Sequence, residues 1–562
     1  MDKANTTQIN QESSQLGSRY WLAALFLIIF ILPINAGYLM VPDETRYAEI
    51  PREMLATGDW MVPRLVGLPY FEKPVLGYWV HAIALAVFDQ AEWAIRLPSV
   101  LCVGISTLIM WWLLHQSHHG PKRRHWADLF ALVFLTLLLV VVIAKVVVLD
   151  SLFAMLLTAT FASFYLATES RKHSKYETFM LISCGFFCGL AFLTKGFLAF
   201  ALTGMVFGPY LAWMRRWKDC LRMAWLPILT SLLIVLPWAI AIHMKAPDFW
   251  RYFFWEEHVH RFMAETAQHR EPMVFYLVLL PFMCLPWTFL IPGALMNLKG
   301  TFRAASREGR LMIFAMIWFG LPFIFFSISK GKLATYILPC FPALALLVSH
   351  GLSLVSKQPS RMFRTGGWLG TMFFLLLAVL LIVSQTLGPQ TIHVYEQPGK
   401  WIILSGGLLA VSAGFWKVTR LPFSASQMFA LGFGTMCLFA VLNQVLPDPT
   451  IRSKAPARLF QEIHVEPGAT LICDIDTASS IAWHYKRSDI YLLEHKGELD
   501  YGLQFQPDRY LNIDDVSALI RERPGTVIIV GRTKHTLVWE ESLPAALNKA
   551  DSGERGYSVL YF

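Results

Sequence analysis

Long apolar runs separated by short polar loops recur from Tyr20 to about Leu446 and then stop. About 20 apolar residues cross the roughly 30 Å hydrocarbon core of a bilayer as a helix, which satisfies its own backbone polar groups there. The runs predict helices at 20–40, 93–115, 127–148, 151–168, 178–193, 197–214, 223–243, 273–296, 311–329, 333–352, 365–387, 400–416 and 425–446. The pattern is that of a polytopic α-helical membrane protein with about 13 transmembrane helices. One further run, Val75 to Phe88, is short for a span and reads as an interfacial or re-entrant helix.

Beyond residue 446 the patterning changes. Thr470-Leu-Ile-Cys-Asp, Ile490-Tyr-Leu-Leu, Thr526-Val-Ile-Ile-Val and Tyr557-Ser-Val-Leu-Tyr read as buried strands, with helical patterns near Ser453–Ile463 and Ile513–Arg521. The division expected is a transmembrane part, 1–446, with a first outer loop at 41–92, followed by a small α/β domain at 447–562.

Charge sets the expected orientation. A net charge of +9 would suggest nucleic acid as partner in a soluble protein, but here the basic residues concentrate in short loops between apolar runs. With Val75–Phe88 kept out of the membrane, the loops holding Lys122-Arg123-Arg124, Arg171-Lys172, Arg215-Arg216-Lys218, Lys299/Arg303/Arg307/Arg310, Lys357/Arg361/Arg364 and Lys417/Arg420 share the cytoplasmic side. The C-terminal domain then lies outside, in a periplasm-like space. Residues 20–36 are expected to be an uncleaved first helix, since Ile34-Asn35-Ala36 is a poor cleavage site. Cys473 is the sole cysteine of the C-terminal part, so no disulfide forms within it.

That topology gathers ionisable residues on the outer face. Asp43, Glu44, Arg46, Tyr70, Glu72 and Lys73 come from the first loop, Asp150 from the second, Arg251, His258, His260 and Arg261 from the loop 244–272, and Lys330, Lys332 and Tyr336 from a fourth segment. Charges beside hydrocarbon are costly, and their clustering marks a working site. Lys73, Arg261, Lys330 and Lys332 are donors suited to a lipid phosphate. Lys332 and Tyr336, four apart at an expected helix start, would share one face. Asp43 and Glu44 offer oxygens to a sugar hydroxyl, an amino group or a proton. Cations for a leaving phosphate and carboxylates for the other reactant point to glycosyl transfer.

Plainer roles compete with these. Asp43 and Asp150 could cap helices, Glu72 and Lys73 could form a local ion pair, and the lysines could contact lipid headgroups. Glu72 with His258 or His260 supplies only part of the four-ligand set that zinc takes. Asp474-Ile475-Asp476 matches a DxD pattern but falls in an expected strand on the outer face, where nucleotide sugars are not expected. A lipid transporter or flippase would need matched broken helices, and Lys145 and Lys195 fall near helix ends instead.

The run DETRYAEIPREML, closed by YFEKP at Tyr70–Pro74, resembles the family of bacterial aminoarabinose transferases acting on lipid A, and the resemblance extends along the whole chain. It implies a GT-C-like bundle of about 13 transmembrane helices with a small C-terminal periplasmic α/β domain, in the bacterial inner membrane. It also implies transfer of 4-amino-4-deoxy-L-arabinose from an undecaprenyl phosphate-linked donor to lipid A, with resistance to polymyxin and cationic peptides. Asp43 takes the place of the catalytic aspartate, Asp150 that of the second-loop acidic residue, and Lys73, Arg261 and Tyr336 those of phosphate ligands. Arg46, Tyr70, Glu72 and Lys332 join them as substrate-binding candidates. No cofactor is required; a zinc or other divalent ion, if bound, would be held by Glu72 and His258. The alternative acceptor is a protein hydroxyl, as in O-mannosyltransferases, for which Asp43 would have to be a true base.

Overall fold

The computed structural model describes residues 20–89, 91–117, 122–260, 270–355, 360–420, 425–553 and 555–562. Among these, eight helices are long and apolar enough to cross a membrane: Glu92–Gln116, Asp150–Glu169, Lys175–Lys195, Asp219–Lys245, Arg307–Ile328, Ala334–Val355, Arg361–Thr386 and Pro398–Val418. Each overlaps an expected span, and the chain is a multi-pass membrane protein.

The other expected spans are shorter or broken, and proline accounts for part of this. Pro33 follows the Tyr20–Ile31 helix. Across 273–296 the run divides into Phe275–Met283, which holds Pro281 inside it, a 3-10 turn at Trp287–Phe289 that follows Pro286, and Ile291–Met296, with Pro292 in its first turn. Expected span 127–148 bends by 63° between His125–Leu135 and Leu138–Ala144. The break is held from outside: Leu138 N donates to Leu285 O at 2.9 Å, and Trp287 Nε1 donates to Thr136 Oγ1 at 2.8 Å. Leu198–Trp213, Ser426–Val441 and Leu76–Val87 complete the shorter apolar helices, the last coinciding with the run read as interfacial.

Helices approach closely where side chains are absent. A Cβ on Gly185 would stand 2.3 Å from Pro227 O, so Lys175–Lys195 packs backbone to backbone on Asp219–Lys245. Lys145 is buried and donates to Phe439 O at 2.5 Å, satisfying a terminal carbonyl of Ser426–Val441.

Polar contacts separate the molecule into two ends. At one, Arg310 holds Glu169 through two 2.7 Å bonds, Arg222 pairs with Glu177 at 2.8 Å, and Arg216 and Lys172 meet Asp219 at 2.9 and 3.2 Å. These residues come from loops that the charge pattern groups on one side. The other end holds the first loop, the residues around Asp150 and Tyr336, and the C-terminal sheet.

In the first loop the Asp43–Thr57 helix leads to a hairpin of β1 (Arg64–Leu65) and β2 (Leu68–Pro69). Its turn residues Val66 and Gly67 have φ of 56° and 76°, the handedness that tight hairpins need. A valine there is unusual, and the turn is anchored: Gly67 N donates to Glu53 Oε2 at 2.9 Å, and Arg509 Nη2 donates to Val66 O at 3.2 Å.

The C-terminal residues form a six-stranded sheet from β3 (Thr470–Cys473), β4 (Tyr491–Leu493), β5 (Tyr510–Leu511), β6 (Val527–Arg532), β7 (Asn548–Asp551) and β8 (Tyr557–Tyr561), in the order β5-β4-β3-β6-β8-β7. β3 runs parallel to β4 and β6, and β8 antiparallel to β6 and β7. The four expected strands are β3, β4, β6 and β8. β5 and β7 are too short or too polar to read from the pattern. Ile513–Glu522 forms as expected behind an Asn512/Asp515 capping box, whereas the Ser453–Ile463 pattern becomes two short helices, Asp448–Lys454 and Ala457–Phe460, with Pro456 between them. Asp474 is not in a strand: it caps the Ile475–Tyr485 helix, accepting from Thr477 N at 2.9 Å.

Candidate functional site

Asp43 and Glu44 open the Asp43–Thr57 helix, yet their environments differ. Glu44 is buried. Its carboxylate accepts from Met40 N at 3.0 Å, Val147 N at 3.1 Å and Arg96 Nε at 3.2 Å. Arg96 in turn donates to the carbonyls of Ile34, Ala36, Gly37 and Tyr38 at 3.0–3.4 Å. Glu44 is therefore a staple for the chain leading into the helix. Asp43, with 46% of its side chain exposed, keeps a face toward solvent and pairs with Arg46 one helical turn on.

Arg46 joins three groups. Its Nη2 meets Asp43 Oδ1, and its Nη1 meets Glu498 Oε2 and donates to Tyr70 Oη at 3.3 Å. Tyr70 Oη donates to Glu498 Oε2, also at 3.3 Å. Its charge shared between two carboxylates, Arg46 bridges the first loop to the C-terminal part of the chain. Beside it, Lys73 Nζ donates to Glu72 O at 2.9 Å and lies 3.8 Å from Glu72 Oε2. The local ion pair expected between Glu72 and Lys73 thus exists.

A second cluster forms around Asp150. Lys195 Nζ contacts Asp150 Oδ1 at 2.8 Å, both side chains being 10% exposed, and stands over the rings of Tyr336 and Phe153 at 5.3 and 5.7 Å. Asp150 begins its helix, but it is an ion-pair partner and not solely a cap. Lys195 was set aside in the sequence as a helix-end lysine. It ends the Lys175–Lys195 helix in an otherwise apolar Phe-Leu-Thr-Lys-Gly stretch, and that isolation was the available signal.

Lys332 and Tyr336 do not share an α-helical face. Lys332 precedes a 3-10 helix, Ala334–Cys340, and its buried ammonium donates to Glu271 O at 2.7 Å and Ser329 O at 2.5 Å. Those bonds tie neighbouring loops together. Arg251 is exposed at the start of the Arg251–His260 helix. Arg261 and the side chains of His258 and His260 lie outside the described residues, and so does the metal site expected at Glu72 and His258. Among the described residues, no group of three or more His, Cys, Asp or Glu side chains could hold a metal ion.

Glu498 had no signal in its own surroundings. It sits in the turn Gly497–Leu499 after β4, within the polar string His495-Lys-Gly-Glu-Leu-Asp, more than 400 residues from the groups it meets. Burial pushes its carboxyl up to about 7, with the facing Glu72 and Asp43 acting the same way and Arg46 and the Tyr70 hydroxyl holding it down.

An apolar cavity of about 420 Å³ lies between the helices, lined by residues including Cys188, Phe200, Phe207, Leu211, Cys220 and Met223, and it extends to the end of the bundle that holds Asp219. Cys188 is about two turns from Lys195 along the same helix. Carboxylates, ammonium groups and phenols gathered at one end of the bundle suit a substrate with an anionic head.

Residues 18–253 match the family model described as dolichyl-phosphate-mannose-protein mannosyltransferase, and residues 451–560 match that of the arabinosyl transferase ArnT C-terminal domain. The undecaprenyl phosphate-alpha-4-amino-4-deoxy-L-arabinose arabinosyl transferase of Aeromonas hydrophila is 37% identical over 534 residues, covering 92% of this chain and 94% of that one. The protein of the same name from Photorhabdus laumondii is 36% identical over 98% of both. ArnT from Cupriavidus metallidurans bound to undecaprenyl phosphate superposes with a TM-score of 0.77 at 22% identity, over 96% of this chain and 97% of that one. Archaeal oligosaccharyltransferase AglB from Archaeoglobus fulgidus shares the fold more distantly, with a TM-score of 0.52 at 13% identity, over 93% of this chain and 70% of that one.

Proposed function

The chain belongs to the family of undecaprenyl phosphate-alpha-4-amino-4-deoxy-L-arabinose arabinosyl transferases, and we propose that it moves 4-amino-4-deoxy-L-arabinose from undecaprenyl phosphate to the phosphates of lipid A on the periplasmic side of the bacterial inner membrane. The observation that carries this reading is the convergence of Asp43, Lys73, Asp150, Lys195 and Tyr336 at one end of the bundle in a chain related to these enzymes over nearly its full length. About 13 crossings, a cytoplasmic N-terminus, a transmembrane part at 1–446 and a periplasmic domain at 447–562 are the finer topology that goes with it. The basic ion-pair network at the opposite end supports that orientation.

In the reaction, a lipid A phosphate oxygen attacks the anomeric carbon. The bond from that carbon to the donor phosphate oxygen breaks, and undecaprenyl phosphate leaves with inversion. Charge accumulates on the departing phosphate, so preorganised cations and hydroxyl donors contribute most. Lys73, Arg261 and Tyr336 fill that role, with Lys195 adding positive potential beside the Tyr336 ring. The acceptor is already ionised, so Asp43 orients it or steadies the ammonium of the sugar in preference to removing a proton. The product carries an ammonium beside each modified phosphate, which lowers the surface charge that draws polymyxin and other cationic peptides. Expression in cells that make the donor should yield aminoarabinose-bearing lipid A by mass spectrometry. Unmodified lipid A from a well-expressed protein would refute the reading.

A further inference from the structure

The C-terminal sheet is built into the catalytic end of the molecule by several independent contacts. Ser479 Oγ meets Thr45 Oγ1 at 2.8 Å, and Arg509 reaches Val66 O at 3.2 Å. Gly502 lies so close to β2 that a Cβ there would stand 2.8 Å from both Leu68 Cβ and Pro69 O. Tyr501 packs on Phe71 of the YFEKP segment and on Tyr252, with ring centroids 5.3 and 4.5 Å apart. Gly497 turns at φ 49° against Ile475, where a Cβ would meet Cγ1 at 2.8 Å, and this turn presents Glu498 to Arg46.

The guanidinium is a rigid planar fork, so fixing one of its nitrogens fixes the direction of the other. Glu498 and Tyr70 hold Nη1, and Nη2 meets Asp43. Asp43 is nearly half exposed, and among the described residues its carboxylate is held by Arg46, so it depends on this fork for its orientation. We propose that Glu498 is a positioning residue of the transfer reaction: from the C-terminal sheet it fixes Arg46, and through Arg46 it sets the orientation of Asp43. This rests on the reading that Asp43 acts on the substrate.

The ionised Glu498 is the form that grips Arg46. Arg46, Tyr70, Asp43 and Glu72 face it from the first loop, and on its own segment Lys496 pairs with Asp500 at 3.6 Å. A carboxyl titrating near neutrality therefore makes the grip depend on pH.

The test uses the full-length protein with undecaprenyl phosphate-linked aminoarabinose and lipid A, comparing wild type, Glu498→Gln, Arg46→Gln, the double variant and Asp43→Asn. Glu498→Gln should lower kcat by about 10- to 100-fold with the donor KM within about twofold, as for a misplaced group outside the reacting atoms. The wild-type rise of kcat with pH near neutrality should be absent from Glu498→Gln. The double variant should be no slower than Arg46→Gln alone, because both act through one fork. A merely structural anchor would leave the pH limb in place and give losses that multiply. If Glu498→Gln does not purify folded, Glu498→Ala, which also lacks the carboxyl, carries the same comparison. Wild-type kcat and pH profile in a folded Glu498 variant overturns the positioning role alone. Wild-type transfer by Asp43→Asn overturns the Asp43 reading, and this inference with it.

Discussion

Arg96→Met removes the guanidinium that organises the entrance to the Asp43–Thr57 helix while keeping most of the side-chain volume. Glu44 and Arg96 have 3% and 4% of their side chains exposed, so the variant leaves a buried carboxylate without its counter-charge. Removing one partner of such a pair costs about 3–5 kcal/mol. The carbonyls of Ile34, Ala36, Gly37 and Tyr38 lose their donor as well, each worth about 1 kcal/mol where water does not replace it. The expected loss is thus at least about 3 kcal/mol. Asp43, the neighbour of Glu44, should be displaced with it. Thermal melts of the purified protein and transfer assays at a temperature well below the melt read the two consequences. Lys245→Met is the control, since its pair with Asp59 is 53% and 24% exposed and should be worth less than about 1 kcal/mol. Adding Glu44→Gln to Arg96→Met should recover part of the stability, because no buried charge then remains. An Arg96→Met protein that melts with the Lys245→Met control and transfers normally would refute the reasoning.

Lys195→Met strands the Asp150 carboxylate and should cost about 3–5 kcal/mol, and Lys195→Met/Asp150→Asn should regain stability but not transfer; melts and product formation separate the two. Gly502→Val forces the C-terminal segment away from Leu68 and Pro69 and should lower kcat about tenfold or more, read in the transfer assay against an unchanged far-UV spectrum. Burial pushes the Asp474 carboxyl up, but the bonds from His535, Arg532 N and Thr477 outweigh it and hold the group below its ordinary 3.8. A depressed carboxyl contributes stability above its unfolded pKa and loses it as pH falls through the folded value. The C-terminal sheet should therefore become sensitive to acid protease below about pH 4, and Asp474→Asn should flatten that dependence.

The long helices were legible because apolar runs and basic loops carry membrane topology almost by themselves. The breaks were not. The 63° bend depends on Leu285 and Trp287, which a hydropathy window over 127–148 never sees. Asp43 and Glu44 look alike as a sequence pair, and only burial against Arg96 and Val147 separates a staple from a carboxylate with a solvent-facing side. Lys332 followed an α-helical spacing that the 3-10 turn does not have. Lys195 was visible as an isolated charge but was discounted by its place at a helix end. Glu498 was beyond reach, since its significance arises only when β4 and the first loop meet.

The most direct test of the central claim is an experimental structure with undecaprenyl phosphate bound. The account predicts the phosphate within about 3.5 Å of Lys73 Nζ and Tyr336 Oη, with Asp43 facing the adjoining sugar space. A phosphate held at the other end of the bundle, beside Arg222 and Arg310, would contradict it.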